Sequence, residues 1–169
     1  HAAANVQVDA DGDVTARILG NLRGKITGAK RVSATVFGKV EQFEAGSRLG
    51  NVTLLAMQSV NANVNAMQEI DVAALGNVAG TFATQVGDVS INSLGSANAT
   101  VTAAKSAQVR AAGNVSGSVN ATWGSATVVS AGSATPHSPS GQVNANVAAR
   151  QDVRVAAYGG DVNGSVSSA

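Results

Sequence analysis

Apolar and polar residues alternate in short bursts along this chain, and the bursts return at a steady interval. Runs such as Val60-Asn61-Ala62-Asn63-Val64 and Val143-Asn144-Ala145-Asn146-Val147 place an apolar side chain at every second residue. That is the period of a strand with one buried face. The alternation recurs at Leu22, Gly24 and Ile26, at Val78, Gly80 and Phe82, at Ala97, Ala99 and Val101, at Val115, Gly117 and Val119, and at Val162, Gly164 and Val166. A second strand carries the pairs Val14 and Ala16, Val32 and Ala34, Val52 and Leu54, Ile70 and Val72, Val89 and Ile91, Ala107 and Val109, Ala126 and Val128, and Val153 and Val155. Small residues such as Gly28, Ala66, Ala103, Ala121 and Ala149 stand between the two strands, where the backbone has room to turn. Each unit therefore predicts strand, corner, strand, corner.

The second corner is marked by an apolar residue followed by glycine: Leu19-Gly20, Phe37-Gly38, Leu75-Gly76, Leu94-Gly95, Ala112-Gly113, Ala131-Gly132 and Tyr158-Gly159, with Met57-Gln58 in the one gap. Successive spacings are 18, 20, 18, 19, 18, 19 and 27 residues. A unit of this length cannot bury its own apolar face, so neighbouring units must stack. The expected architecture is all-β: a single parallel β-helix, or β-solenoid, of 8 to 9 coils of 18 to 20 residues, forming one domain over residues 1–169. At about 4.8 Å per coil the rod would be roughly 40 Å long. The large residue before the glycine and the one- or two-residue insertions favour a right-handed helix over a left-handed hexapeptide helix.

Composition fits a narrow core. Apolar residues make up 44% and charged residues 12%, too apolar for disorder, while aromatics at 3% are too few for a core built on large rings. No apolar run reaches the length of a membrane helix, so no membrane span is expected. The absence of cysteine excludes disulfides and thiolate metal sites. A net charge of +1 gives no global attraction to nucleic acid, and Trp123 and Tyr158 are isolated rather than arranged as stacking platforms.

The coils Leu22 to Gly38 and Val78 to Gly95 resemble the β-helical repeats of bactofilins, the polymer-forming bacterial cytoskeletal proteins. The Ala, Asn, Ser and Gly-rich texture of Gly113-Asn114-Val115-Ser116-Gly117-Ser118-Val119 and Gly160-Asp161-Val162-Asn163-Gly164-Ser165-Val166 is more similar to the filamentous-haemagglutinin-type repeats of large exported bacterial adhesins. The chain lacks the acidic, Ile-rich character of a bactofilin core, which favours the adhesin resemblance. That resemblance implies an extracellular or cell-surface location, and the bactofilin one a cytoplasmic location. Neither carries a catalytic motif.

Several residues are candidates for binding. Seven of the 11 basic residues lie between Arg17 and Arg48, and stacking is expected to gather Arg23, Lys25, Lys30 and Arg31 into a stripe suited to an anionic polysaccharide or cell-surface glycan. Asp9, Asp11 and Asp13 have the alternate spacing that opens a calcium loop. However, Val14 and Gly20 stand where that loop needs Gly and Glu, so a polar corner without cofactor is the simpler expectation. Residues 133–140, Ser-Ala-Thr-Pro-His-Ser-Pro-Ser, read as a loop inserted at one corner, and His137 within it is a candidate contact for a partner.

The acids Glu69, Asp71, Asp88, Asp152 and Asp161 are scattered and His137 is the only internal histidine, so no catalytic constellation is expected. The expected role is a structural or adhesive segment of a large exported surface protein. The alternatives are a noncatalytic or substrate-binding part of a β-helical polysaccharide lyase or other carbohydrate-active enzyme, and a bactofilin-like filament-forming cytoskeletal protein. The final coil lacks a covering segment, so its expected neighbours are further coils of a longer parent chain or a second copy stacked end to end.

Overall fold

Every alternating burst but the last forms one strand, and that at Val162 to Val166 is broken at Gly164 into two short ones. The structure, a computed structural model, describes residues 3–132 and 141–169, so the 133–140 insertion and His137 lie outside the described residues. In chain order the coils pair β1 (Ala3–Ala10) with β2 (Val14–Ile18), β3 (Asn21–Gly28) with β4 (Val32–Val36), β5 (Val40–Ser47) with β6 (Val52–Ala56), and β7 (Val60–Ala66) with β8 (Ile70–Ala74). They continue with β9 (Val78–Thr84) and β10 (Val89–Ser93), β11 (Ala97–Ala103) and β12 (Ala107–Ala111), β13 (Val115–Ala121) and β14 (Ala126–Ser130), and β15 (Val143–Ala149) and β16 (Val153–Ala157). The short strands β17 (Val162–Asn163) and β18 (Val166–Ser168) open a further coil against β15.

The long strands stack in one sheet in the order β1-β3-β5-β7-β9-β11-β13-β15-β17, and the short strands β2 to β16 stack in a second, with parallel pairing throughout. This is a parallel β-solenoid of about eight coils. Among the described residues there is no helix, hence none long and apolar enough to cross a membrane.

In-register pairing places equivalent residues over one another, so the core is a bundle of columns. One coil contributes seven inward residues, Val60, Ala62, Val64 and Ala66 from β7 and Ile70, Val72 and Ala74 from β8, all buried. Volume is balanced between neighbours. Phe43 lies in register between Gly24 and Ala62, and Phe82, between Val64 and Val101, shares its strand with Gly80. Large rings therefore enter the interior only where small residues make room.

The 19- and 20-residue spacings have two causes. The connection from long to short strand has three residues in most coils but four at residues 48–51, 85–88 and 122–125. The 20-residue coil also contains a bulge in β5, where Gln42 (φ 50°) is the extra residue that lets Phe43 point inward. The four-residue corners carry Leu49-Gly50, Val86-Gly87 and Trp123-Gly124, 37 residues apart in each case. Buried Ser93 and Ser130, also 37 apart, donate hydrogen bonds to the carbonyls of Gly76 and Gly113, each 2.7 Å long. The true repeat over the central coils is thus a double coil, already present in the alternation of 18 and 19 but readable there only as irregularity.

The glycines after the apolar residue fall into two groups: Gly132 (φ 73°) and Gly159 (φ 84°) have the left-handed backbone expected of a permissive corner, and four others are glycine for another reason. Gly38, Gly76, Gly95 and Gly113 lack positive φ. They are glycine because a Cβ would come within 2.6 to 3.2 Å of backbone in the coil before. Positive φ occurs also within the long strands, at Gly24, Gly80 and Gly117, and between β17 and β18 at Gly164.

Corner side chains complete the hydrogen bonding. The Oδ1 of Asn77 accepts the Ser96 N–H at 2.8 Å, the Oγ of Ser96 accepts the Asn114 N–H at 3.2 Å, and the Oδ1 of Asn114 accepts the Gln142 N–H at 2.9 Å. At the other corner Asp13 serves Arg31 (2.9 Å) and Asp88 serves Ser106 (2.7 Å). These amides fall just outside the strand ladders and need another acceptor. Asn77→Ala is expected to cost about 1 kcal/mol in urea denaturation and to speed exchange of the Ser96 amide while leaving distant coils unchanged.

Candidate functional site

The expected basic stripe divides into two places. Arg23 and Lys25 alternate outward on β3 and meet acids one coil later on β5. Arg23 Nε lies 2.9 Å from Glu41 Oε2, and Lys25 Nζ lies 3.0 Å from Glu44 Oε2. Exposed pairs of this kind stabilise little, yet they engage the groups an anionic ligand would use. Lys30 and Arg31 instead occupy the β3–β4 corner, beside a shallow cleft of about 260 Å3 that also touches Asp13, Leu49, Asn51 and Gln68. Of the other bases in this region, Arg48 lies 3.0 Å from Asp9 and 3.6 Å from Asp11, and Arg17 sits over the Phe37 ring at 5.5 Å.

The three aspartates are likewise separated in role. Asp9 is the last residue but one of β1 and, with Asp11, faces Arg48, while Asp13 accepts the backbone N–H of Arg31. Among the described residues no three His, Cys, Asp or Glu side chains come close enough together to hold a metal ion. Asp11 and Asp13 lie in the corner between β1 and β2.

The outward Asn residues form one direct rung, from Asn163 Nδ2 to Asn144 Oδ1 at 3.0 Å. Beside it, Asn146 Oδ1 accepts both the N–H (3.1 Å) and the Oγ–H (3.0 Å) of Ser165.

A feature absent from the sequence expectations runs down the opposite corner. In every coil the residue just after the short strand turns outward, giving the column Leu19, Phe37, Met57, Leu75, Leu94, Ala112, Ala131 and Tyr158. Each backbone N–H from Phe37 onward donates to the coil before, for example Leu75 to Ala56 at 3.2 Å and Leu94 to Ala74 at 3.0 Å, so the residues stack in register. Leu19 is 81% exposed, Leu94 65% and Leu75 54%. The signal was the apolar residue before each glycine; its period marks the corner, but period alone does not say which side of the backbone it takes. Where the column is low, at Ala112 and Ala131, a groove of about 450 Å3 opens, walled by Leu75, Leu94, Leu55 and Val129 with Arg110 at its side.

No protein-family model, curated protein or solved structure matches this chain. What the surfaces can do rests on their own chemistry: exposed ion pairs on the long sheet, two cations at one corner, and an apolar ridge along the other.

Proposed function

We propose that this chain is a structural, adhesive rod segment of a large exported bacterial surface protein. The observation that supports the reading is the continuity of the stack: eight coils joined by two sheets of in-register strands and by side-chain rungs at both corners. Such a stack is a spacer whose length grows by about 4.8 Å per coil. Antibody against the chain should label intact cells of the source organism; labelling confined to lysed cells would overturn the surface assignment.

An anionic polysaccharide is the ligand class favoured by the basic residues, with Lys30 and Arg31 as its contacts because Glu41 and Glu44 engage Arg23 and Lys25. On an immobilised acidic polysaccharide, Lys30→Ala with Arg31→Ala should elute at lower salt than the parent chain. Glu41→Gln with Glu44→Gln should elute at higher salt, since it frees Arg23 and Lys25. Identical elution of all three proteins would remove the basic residues from any ligand contact.

A further inference from the structure

We infer that the apolar ridge is a self-association surface, on which a second copy of this chain docks antiparallel about a two-fold axis between Leu75 and Leu94. Single exposed apolar residues are ordinary, but an uninterrupted apolar column beside an apolar groove is not.

The order of side-chain sizes identifies the occupant. Reversing the ridge about its midpoint sets Leu75 against the partner's Leu94, Met57 against the partner's Ala112, and Phe37 against the partner's Ala131. Large thus meets small at the two levels where the groove opens. A parallel pair would stack Phe37 on Phe37 and leave Ala131 facing Ala131 across a gap. Leu19 and Tyr158, both exposed, meet at the ends.

An axis lying across the rods keeps the outer faces of the two short sheets on the same side. This places Arg17 opposite the partner's Ala156 and Arg110 opposite the partner's Leu55, so among the described residues of the short sheets no like charges oppose. Isologous contacts of this kind close on themselves.

The area sets the strength. Seven steps of about 4.8 Å give a ridge of about 34 Å, and four residues at about 3.3 Å give a width of about 13 Å. The pair would bury roughly 900 Å2 in total, close to the lower limit of about 1,000 Å2 for a specific interface. The dimer is therefore expected to be weak, with a dissociation constant on the order of micromolar.

Sedimentation velocity of the full chain across nanomolar to high micromolar concentrations should show a monomer that converts to a dimer. Leu75→Glu, at an outward position, should abolish the dimer with an unchanged circular dichroism spectrum and thermal midpoint. Because the chain has no cysteine, Phe37→Cys with Ala131→Cys should form disulfide-linked dimers on oxidation. Phe37→Cys alone should not, since its two copies lie about 24 Å apart in the antiparallel arrangement, beyond the reach of a disulfide. A parent chain that stays monomeric throughout, or a dimer that survives Leu75→Glu, would overturn the proposal. Cross-linking by Phe37→Cys alone would overturn the antiparallel arrangement.

Discussion

Replacing Gly80 by valine is expected to destabilise the chain by roughly 3 kcal/mol or more. Two costs combine. Gly80 has φ +128°, which a β-branched residue adopts only under strain, and a Cβ there would lie 1.9 Å from the carbonyl oxygen of Ala62 in the coil before. That oxygen belongs to the backbone and cannot move aside without opening the β7–β9 pairing. Gly46 supplies the control, because a Cβ there meets nothing closer than Thr27 Cγ2 at 3.8 Å. Gly46→Ala should be neutral or stabilising by a few tenths of a kcal/mol, through the unfolded chain. Urea midpoints for the two variants decide the matter, and equal midpoints would contradict the close stacking of coils at Gly80.

Phe82→Ala should cost about 3–5 kcal/mol, the range for removing a buried ring whose surroundings collapse only in part. Phe82 is fully buried, and its neighbours along the column, Val64 and Val101, are held by hydrogen-bonded strands on either side. Each coil touches mainly the next, so the loss should concentrate nearby. Hydrogen exchange should accelerate most in β7, β9 and β11 and least in β1 and β15. Leu94→Ala, on the exposed ridge, should shift the monomer's stability by less than about 0.5 kcal/mol. A loss at Leu94 as large as that at Phe82 would mean that the ridge is packed rather than open.

The architecture was legible because period-two alternation and a near-constant coil length are both written residue by residue, as in Val60 to Val64 and its counterpart Val143 to Val147. Both sets of strands fall where the alternation places them. The double coil was harder to read, because an extra corner residue such as Val86 looks like noise until Gly87 is seen beneath the carbonyl of Gln68, 2.1 Å from where its Cβ would be. The binding surfaces were legible only in part. Sequence shows that Arg23 and Lys25 point outward, and Glu41 follows Val40 as Arg23 follows its partner Leu22, but Glu44 reaches Lys25 only because the bulge at Gln42 resets the register of β5. The side taken by Leu75 and Leu94 follows from where the short strand stops, which period does not specify.

The corner rungs have a direction. Asn77 accepts from Ser96, Ser96 from Asn114 and Asn114 from Gln142, so each coil already made presents waiting acceptors to the coil that follows it in the chain. Most contacts close over a single coil, which keeps the entropy of loop closure small and nearly equal at every step. A chain with this grammar can be wound onto its own finished end, one coil at a time, as it emerges from a narrow opening, without waiting for its far terminus.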